Sequence, residues 1–233
     1  MRDRRAVVFD LDDTLYPYRA FVRSGFRAVA CRLAAERKLQ PSTVLRVLRR
    51  ALANGQRGCE LQQLCAKFGL PESLVESLAD LIREHMPALR LPRESRRVLE
   101  ALRANWKVGV LTNGTPHIQR RKVAALGIGG LVDAVLFAAE YGDGTGKPAA
   151  SAFHAALDRL NVEAPSAVFV GDDPRTDIEG AAAVGMKTIH VMSYFGEDER
   201  CGAASCRIHV RRLNLIPAIA EQLVPAGTAS HVA

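Results

Sequence analysis

Ala6-Val7-Val8-Phe9 runs directly into Asp10-Leu11-Asp12-Asp13-Thr14, so an apolar run ends in three carboxylates and a hydroxyl. A short continuous apolar run reads as a buried strand. Acidic side chains gathered at its tip are costly unless a cation or a reaction uses them. Asp10 and Asp12 stand two apart, so in an extended backbone they project toward the same side. That arrangement suits one carboxylate as nucleophile and the other as proton carrier, with a hard divalent ion offsetting their repulsion. The plainer reading is a strand followed by an Asp-rich turn or a helix cap. The two are separated by what lies downstream.

Three further stretches carry matching parts. Lys107-Val108-Gly109-Val110-Leu111-Thr112-Asn113-Gly114 is a second apolar strand that ends in a hydroxyl and an amide, and backbone N–H groups exposed beside Thr112 would suit a phosphate. Gly144-Thr145-Gly146-Lys147-Pro148 places a lysine in a glycine-rich loop before a helical stretch. It is no nucleotide-binding P-loop, because the spacer is missing and Pro148 stands where Ser or Thr must bind metal. Ala167-Val168-Phe169-Val170-Gly171-Asp172-Asp173 is a third buried strand ending in carboxylates, with Asp177 just beyond. Open parallel sheets place their ligands at the carboxyl ends of strands, and these strands carry their polar groups there.

In this order the chain resembles the haloacid dehalogenase superfamily: Asp10-x-Asp12-x-Thr14, then Thr112, then Lys147, then Gly171-Asp172 with Asp177. The resemblance spans roughly residues 5–195. It implies that Asp10 becomes an aspartyl phosphate, and that Asp12 protonates the leaving group and later activates water. It further implies Mg²⁺ held by Asp10, the backbone carbonyl of Asp12, and Asp172. Thr112 and Lys147 would hold the phosphoryl oxygens, with Asn113 in the same phosphate-binding loop. Asp177 would steady Lys147 or metal-bound water, and Asp173 would stand beside the metal with direct contact left open. Tyr16 and Arg19 follow the nucleophile loop, where they would either border the substrate pocket or pack as a hinge.

The physical logic fits. Phosphoryl transfer is mainly positioning and neutralisation of charge on the equatorial oxygens. A carboxylate nucleophile is weak against an anionic phosphate unless cations suppress the repulsion, so Lys147 and the metal belong together. The family's dehalogenases lack an acid at position 12, since a halide needs no proton. Asp12 therefore favours a phosphate ester. The expected activity is Mg²⁺-dependent hydrolysis of a small phosphorylated metabolite: a nucleoside monophosphate, a sugar phosphate or a short phosphorylated acid. A phosphomutase, a haloacid dehalogenase and a non-catalytic binding protein are the alternatives.

These residues must be positioned by strands near 6–10, 107–112, 134–138, 167–171 and 187–192, with helices such as 115–126, 149–160 and 175–184 between them. The expected fold class is α/β: a Rossmann-like, doubly wound parallel sheet with an inserted all-α subdomain. The gap after the first strand is too long for one crossover helix. It holds helical segments near 18–37, 41–53, 59–68 and 72–85, with Pro41 and Pro71 at helix starts. The resemblance makes this insertion a cap that closes over the site. Residues 1–16 and 88–224 are expected as the core, 17–87 as the cap and 225–233 as a frayed tail.

A chain of 233 residues with 48% hydrophobic content can bury one substantial core and carry such an insertion. No apolar run approaches the ~20 residues of a membrane span, and the charged start leaves no room for a cleavable leader, so a cytoplasmic protein is expected. The net charge of +7 raises nucleic acid as a partner. The arginines are scattered along helical faces without interleaved aromatics, which argues for solvated surfaces and no dedicated nucleic-acid site. Five cysteines without a CxxC pair read as free thiols, and Cys201, Cys206, His190 and His209 match no zinc spacing. A monomer or homodimer is expected.

Overall fold

The structure, a computed structural model, describes residues 5–54, 58–192 and 208–226. In chain order, β1 (Ala6–Phe9) is followed by α1 (Tyr18–Arg37), α2 (Pro41–Ala53), α3 (Glu60–Phe68) and α4 (Leu74–Glu84). Then come α5 (Arg93–Leu102), β2 (Lys107–Thr112), α6 (Pro116–Leu126), β3 (Ala134–Phe137) and α7 (Ala150–Leu160). The chain continues through β4 (Ala167–Gly171), a π-helical turn (Pro174–Glu179), α8 (Gly180–Ala183), β5 (Lys187–Val191), β6 (His209–Val210) and α9 (Ile216–Leu223). It divides into two compact units, Met1–Pro17 with Arg90–Ala233, and Tyr18–Leu89.

The first unit is built on one six-stranded parallel sheet of order β3-β2-β1-β4-β5-β6. β1 lies between β2 and β4, with Phe9 in register with Val110 on one side and Val170 on the other. The chain winds outward through β2 and β3, then returns to add β4 on the opposite side of β1. The carboxyl end of β1 is therefore the point where strand order reverses, which is where doubly wound sheets open a ligand crevice. Both faces of β1 are covered, so its sequence is continuously apolar rather than alternating. Ala6, Val8, Leu111 and Phe169 pack with Phe153, Ala156, Leu157 and Leu160 of α7. The Phe153 and Phe169 rings meet edge to face at 5.2 Å.

The second unit is all helical. Phe26, Val29 and Leu33 of α1 join Val44 and Leu48 of α2, Leu61 and Leu64 of α3, and Leu78 of α4 in a core of its own. α1 comes close to α4 at Gly25, where a Cβ would lie 2.7 Å from Ile82 Cγ2.

The expected helix 175–184 takes a different form. Its first part is the π-helical turn, in which the Asp173 carbonyl accepts from both Asp177 N at 3.0 Å and Ile178 N at 3.3 Å. The wide turn swings the Asp177 side chain back over Gly171, where a Cβ would meet Asp177 Oδ2 at 2.3 Å. Such π-turns recur where a side chain must be re-aimed at a site. Cys201 and Cys206 lie outside the described residues. Among the described residues, no helix is long and apolar enough to cross a membrane.

Candidate active site

At the end of β1 the Asp10 N–H still donates to Val170 O at 2.8 Å, so the backbone stays tied to β4 while the carboxylate leaves the sheet. Lys147 Nζ donates to Asp10 Oδ1 and to Asp177 Oδ1, both at 2.6 Å, with all three side chains buried. Lys147 sits on the loop before α7, and the Asn113 side chain clamps its backbone. Asn113 Nδ2 donates to Lys147 O at 2.9 Å, and Asn113 Oδ1 accepts from Lys147 N at 2.8 Å. Asp172 follows β4 and accepts a long 3.5 Å contact from Thr14 Oγ1. Its carbonyl oxygen lies 2.9 Å from Nε2 of buried His190 on β5. Burial lowers the His190 pKa, so the ring is neutral and gives its Nε2 proton to that carbonyl.

The Asp10 carboxyl is pushed up from its ordinary 3.8 to about 7: burial dominates, Lys147 opposes it, and Asp177 and Asp12 add to it. Burial also works against the Lys147 ammonium, but Asp10 and Asp177 outweigh it and hold its pKa above the usual lysine value. One lysine thus faces more negative charge than it can balance. Asp10, Asp172 and Asp177 bring carboxylate oxygens within 4.8 Å of one another, all buried. A dense set of hard oxygen donors with surplus negative charge fits a divalent cation such as Mg²⁺.

Asp12 faces elsewhere. Asp13 takes a left-handed backbone (φ 58°), and its N–H donates to Tyr16 O at 2.8 Å, folding residues 12–16 into a tight turn. Within that turn the Tyr16 hydroxyl donates to Asp12 Oδ1. From α6, Lys122 Nζ donates to Asp12 Oδ1 at 3.0 Å and Oδ2 at 2.7 Å, and Gln119 Nε2 donates to Asp12 Oδ2 at 3.0 Å. The same Gln119 nitrogen donates to Thr112 Oγ1, the hydroxyl that ends β2. The Thr112 proton has a long 3.4 Å contact to Asn113 O.

The structure therefore brings together Asp10, Asp12, Thr112, Asn113, Lys147, Asp172, Asp177 and Tyr16 at one end of the sheet. Asp173 spends Oδ1 on the N–H groups of Arg175 and Thr176, both at 2.9 Å, capping the π-turn. Arg19 belongs to the helical unit, exposed on α1. Gln119, Lys122 and His190 were not anticipated as parts of the site. For the first two the sequence offers only their spacing to Leu126, which sets the three on one helix face; the structure shows that this face is buried, where polar residues require polar partners.

Comparisons with known proteins agree. Residues 4–185 match the haloacid dehalogenase-like hydrolase family. A ribulose-1,5-bisphosphate 5-phosphatase of Halopiger xanaduensis is 32% identical over 203 residues, covering 79% of this chain and 83% of that protein. The phosphoserine phosphatase of Thermus thermophilus is 32% identical over 123 residues, which is 53% of this chain and about half (49%) of that protein. The crystal structure of a phosphatase from Thermococcus onnurineus, 25% identical, superposes with a TM-score of 0.60 over 92% of this chain and 97% of that one. With the motifs in order on a matching fold, the chain belongs to the haloacid dehalogenase-like hydrolases.

Proposed function

We propose that this hydrolase is a Mg²⁺-dependent phosphomonoesterase acting on a small phosphorylated metabolite through an aspartyl phosphate on Asp10. The observation that carries this reading is the separation of two aspartates, two residues apart, into different cationic surroundings: Asp10 on Lys147, Asp12 on Lys122. Pairs of carboxylates set apart in this way divide nucleophile from proton carrier. The phosphatase relatives point to the same chemistry, and short phosphorylated acids and sugar phosphates lead the substrate candidates.

In the first step an Asp10 oxygen attacks phosphorus and the bond to the leaving oxygen breaks. Asp12 gives that oxygen its proton, so an alcohol departs. In the second, Asp12 takes a proton from water, the water oxygen attacks phosphorus, and the Asp10–phosphorus bond breaks to release phosphate. Lys147 and the Thr112 hydroxyl contact the phosphoryl oxygens, while Asn113 and Asp177 hold Lys147 in place. Asp10, Asp172 and the Asp12 carbonyl would hold Mg²⁺, which when bound supplies the charge neutralisation that keeps Asp10 ionised at neutral pH. The helical unit serves as the cap that selects the substrate, with Arg19 as a candidate contact.

The test is phosphate release over a panel of phosphorylated metabolites, with and without Mg²⁺, using Asp10→Asn as control. Metal-dependent release that vanishes in the variant is expected. Transfer between sugar positions without net phosphate release would replace this reading with a mutase.

A further inference from the structure

Lys122 and Gln119 are buried in a helix, and no motif of the sequence singles them out. Lys122 is 3% exposed and Gln119 2% exposed, both on the face of α6 that turns inward. Burying an ammonium and a primary amide on a helix face that could hold Leu is unfavourable unless both find partners. Their partners are the ends of two other strands. Lys122 spans both oxygens of Asp12, which fixes the plane of the carboxylate. Gln119 divides its Nε2 hydrogens between Asp12 Oδ2 and Thr112 Oγ1. One residue therefore ties the carboxylate after β1 to the hydroxyl of β2. Thr112 Oγ1 accepts from Gln119, and its own proton makes only a long 3.4 Å contact to Asn113 O, which leaves it weakly held and able to turn to a phosphoryl oxygen.

We propose that Lys122 and Gln119 are positioning residues for the proton-transfer step: they hold Asp12 at a fixed distance and angle from Thr112. Asp12 takes up a proton before the transfer, and the leaving oxygen of a phosphate gripped by Thr112 then meets that proton from a fixed side. This inference rests on the phosphomonoesterase reading and adds a role for α6 within it. It costs the fold a buried lysine and gains a rigid link between two reacting groups, where small displacements are expensive in rate.

A merely structural role and a positioning role differ in how they respond to the leaving group. An alkyl phosphate leaves as a strongly basic alkoxide and needs the Asp12 proton as its bond breaks. 4-Nitrophenyl phosphate leaves as a stable phenolate and needs it far less. The kinetic constant to compare is kcat/KM, which reports the steps through transfer to Asp10 and not the later hydrolysis. It should be measured for wild type, Lys122→Met and Gln119→Leu with glycerol 3-phosphate and with 4-nitrophenyl phosphate. Melting curves identify which variants are folded.

For Lys122→Met we expect a loss of about 100-fold on the alkyl ester, at least about ten times the loss on the aryl ester, in line with general acid catalysis. Gln119→Leu removes donors without removing charge, and should show the same direction with a loss of about 10–30-fold on the alkyl ester. Losses of equal size on both esters in the folded variant, or no loss, overturn the inference while leaving the phosphatase reading intact. If Lys122→Met does not fold, Gln119→Leu decides alone. Failure of wild type to hydrolyse either ester with Mg²⁺ present overturns the phosphatase reading itself, and the inference with it.

Discussion

Lys147 and Lys122 each bring an ammonium onto an aspartate at the same end of the sheet, yet the two centres are built in opposite ways. Around Lys147 everything is dry: its side chain is 1% exposed, that of Asp10 9% and that of Asp177 2%. Lys147 there pairs with two buried carboxylates, and the Asp172 carboxylate lies within 4.8 Å of theirs. Around Asp12, Lys122 is joined by the neutral donors of Gln119 and Tyr16, and the Asp12 side chain is 26% exposed. A nucleophile gains from a dry, under-neutralised setting that only a further cation completes. A proton carrier must meet both a leaving group and water, and so stays partly wet beside donors that hold it in place.

The difference is largest in the response to losing each lysine. Lys147→Met leaves buried carboxylates without their protein cation, and charge neutralisation is needed whatever the leaving group. We expect kcat/KM to fall about 1,000-fold or more on alkyl and aryl esters alike. Breaking a buried pair also costs about 3–5 kcal/mol in stability, visible as a lower melting temperature. Lys122→Met, in contrast, should discriminate between esters. An Lys147→Met enzyme that spared the aryl ester would mean that the two lysines do not divide the work as drawn.

Metal and pH act on the Lys147 centre. In metal-free protein the folded state holds the Asp10 proton up to about pH 7, whereas the unfolded chain releases it near 3.8. Between those values the native state binds more protons than the unfolded one, so this group's contribution to stability is complete below about pH 4 and lost as pH rises through 7. Mg²⁺ favours the ionised carboxylate and should flatten the slope, while raising stability by about 2.7 kcal/mol at a hundredfold excess over its Kd. Melting curves from pH 4.5 to 7.5, with Mg²⁺ and with chelator, should show this for wild type. Asp10→Asn should show neither the slope nor the full metal effect; a wild-type slope unchanged in that variant would place the titration elsewhere.

The same contrast explains what the sequence disclosed. Asp10, Thr112, Lys147 and Asp172 sit where apolar strands give way to polar residues, or in a glycine-rich loop, so composition breaks at each of them. The sheet was legible for the same reason, since β1, β2 and β4 are continuous apolar runs bounded by such breaks. Gln119 and Lys122 lie inside His117-Ile118-Gln119-Arg120-Arg121-Lys122, where exposed and buried charges alternate with no change in composition. Which of three adjacent cations turns inward is set by helical phase against the sheet, and only Leu126 hints at that phase. The π-turn was hidden too, because Asp173 and Asp177 are as compatible with an ordinary helix start as with the wider turn. The role of Asn113 is likewise tertiary: an amide after a strand reads as a phosphate contact until it is seen clasping the backbone of Lys147.

Tyr16→Phe probes the hydroxyl grip on Asp12. The phenol is fully buried and its hydroxyl donates to Asp12 Oδ1, an oxygen that Lys122 also holds at 3.0 Å. Removing the hydroxyl leaves the ring packing unchanged and an aspartate open enough for water to take the vacated position. A hydrogen bond to a charged group contributes about 1.5–3 kcal/mol, and replacement by water should bring the loss below that range, to about 0.7–1.4 kcal/mol. We expect kcat/KM on the alkyl ester to fall about 3–10-fold, with a smaller change on the aryl ester. The substitution also separates this role from substrate contact. If Tyr16 instead touched the metabolite, Tyr16→Phe would raise KM for the physiological substrate while leaving the ratio of alkyl to aryl activity where it was. If Tyr16→Phe were far more damaging than Lys122→Met, the aspartate would be held chiefly by its own turn, and α6 would be the lesser support.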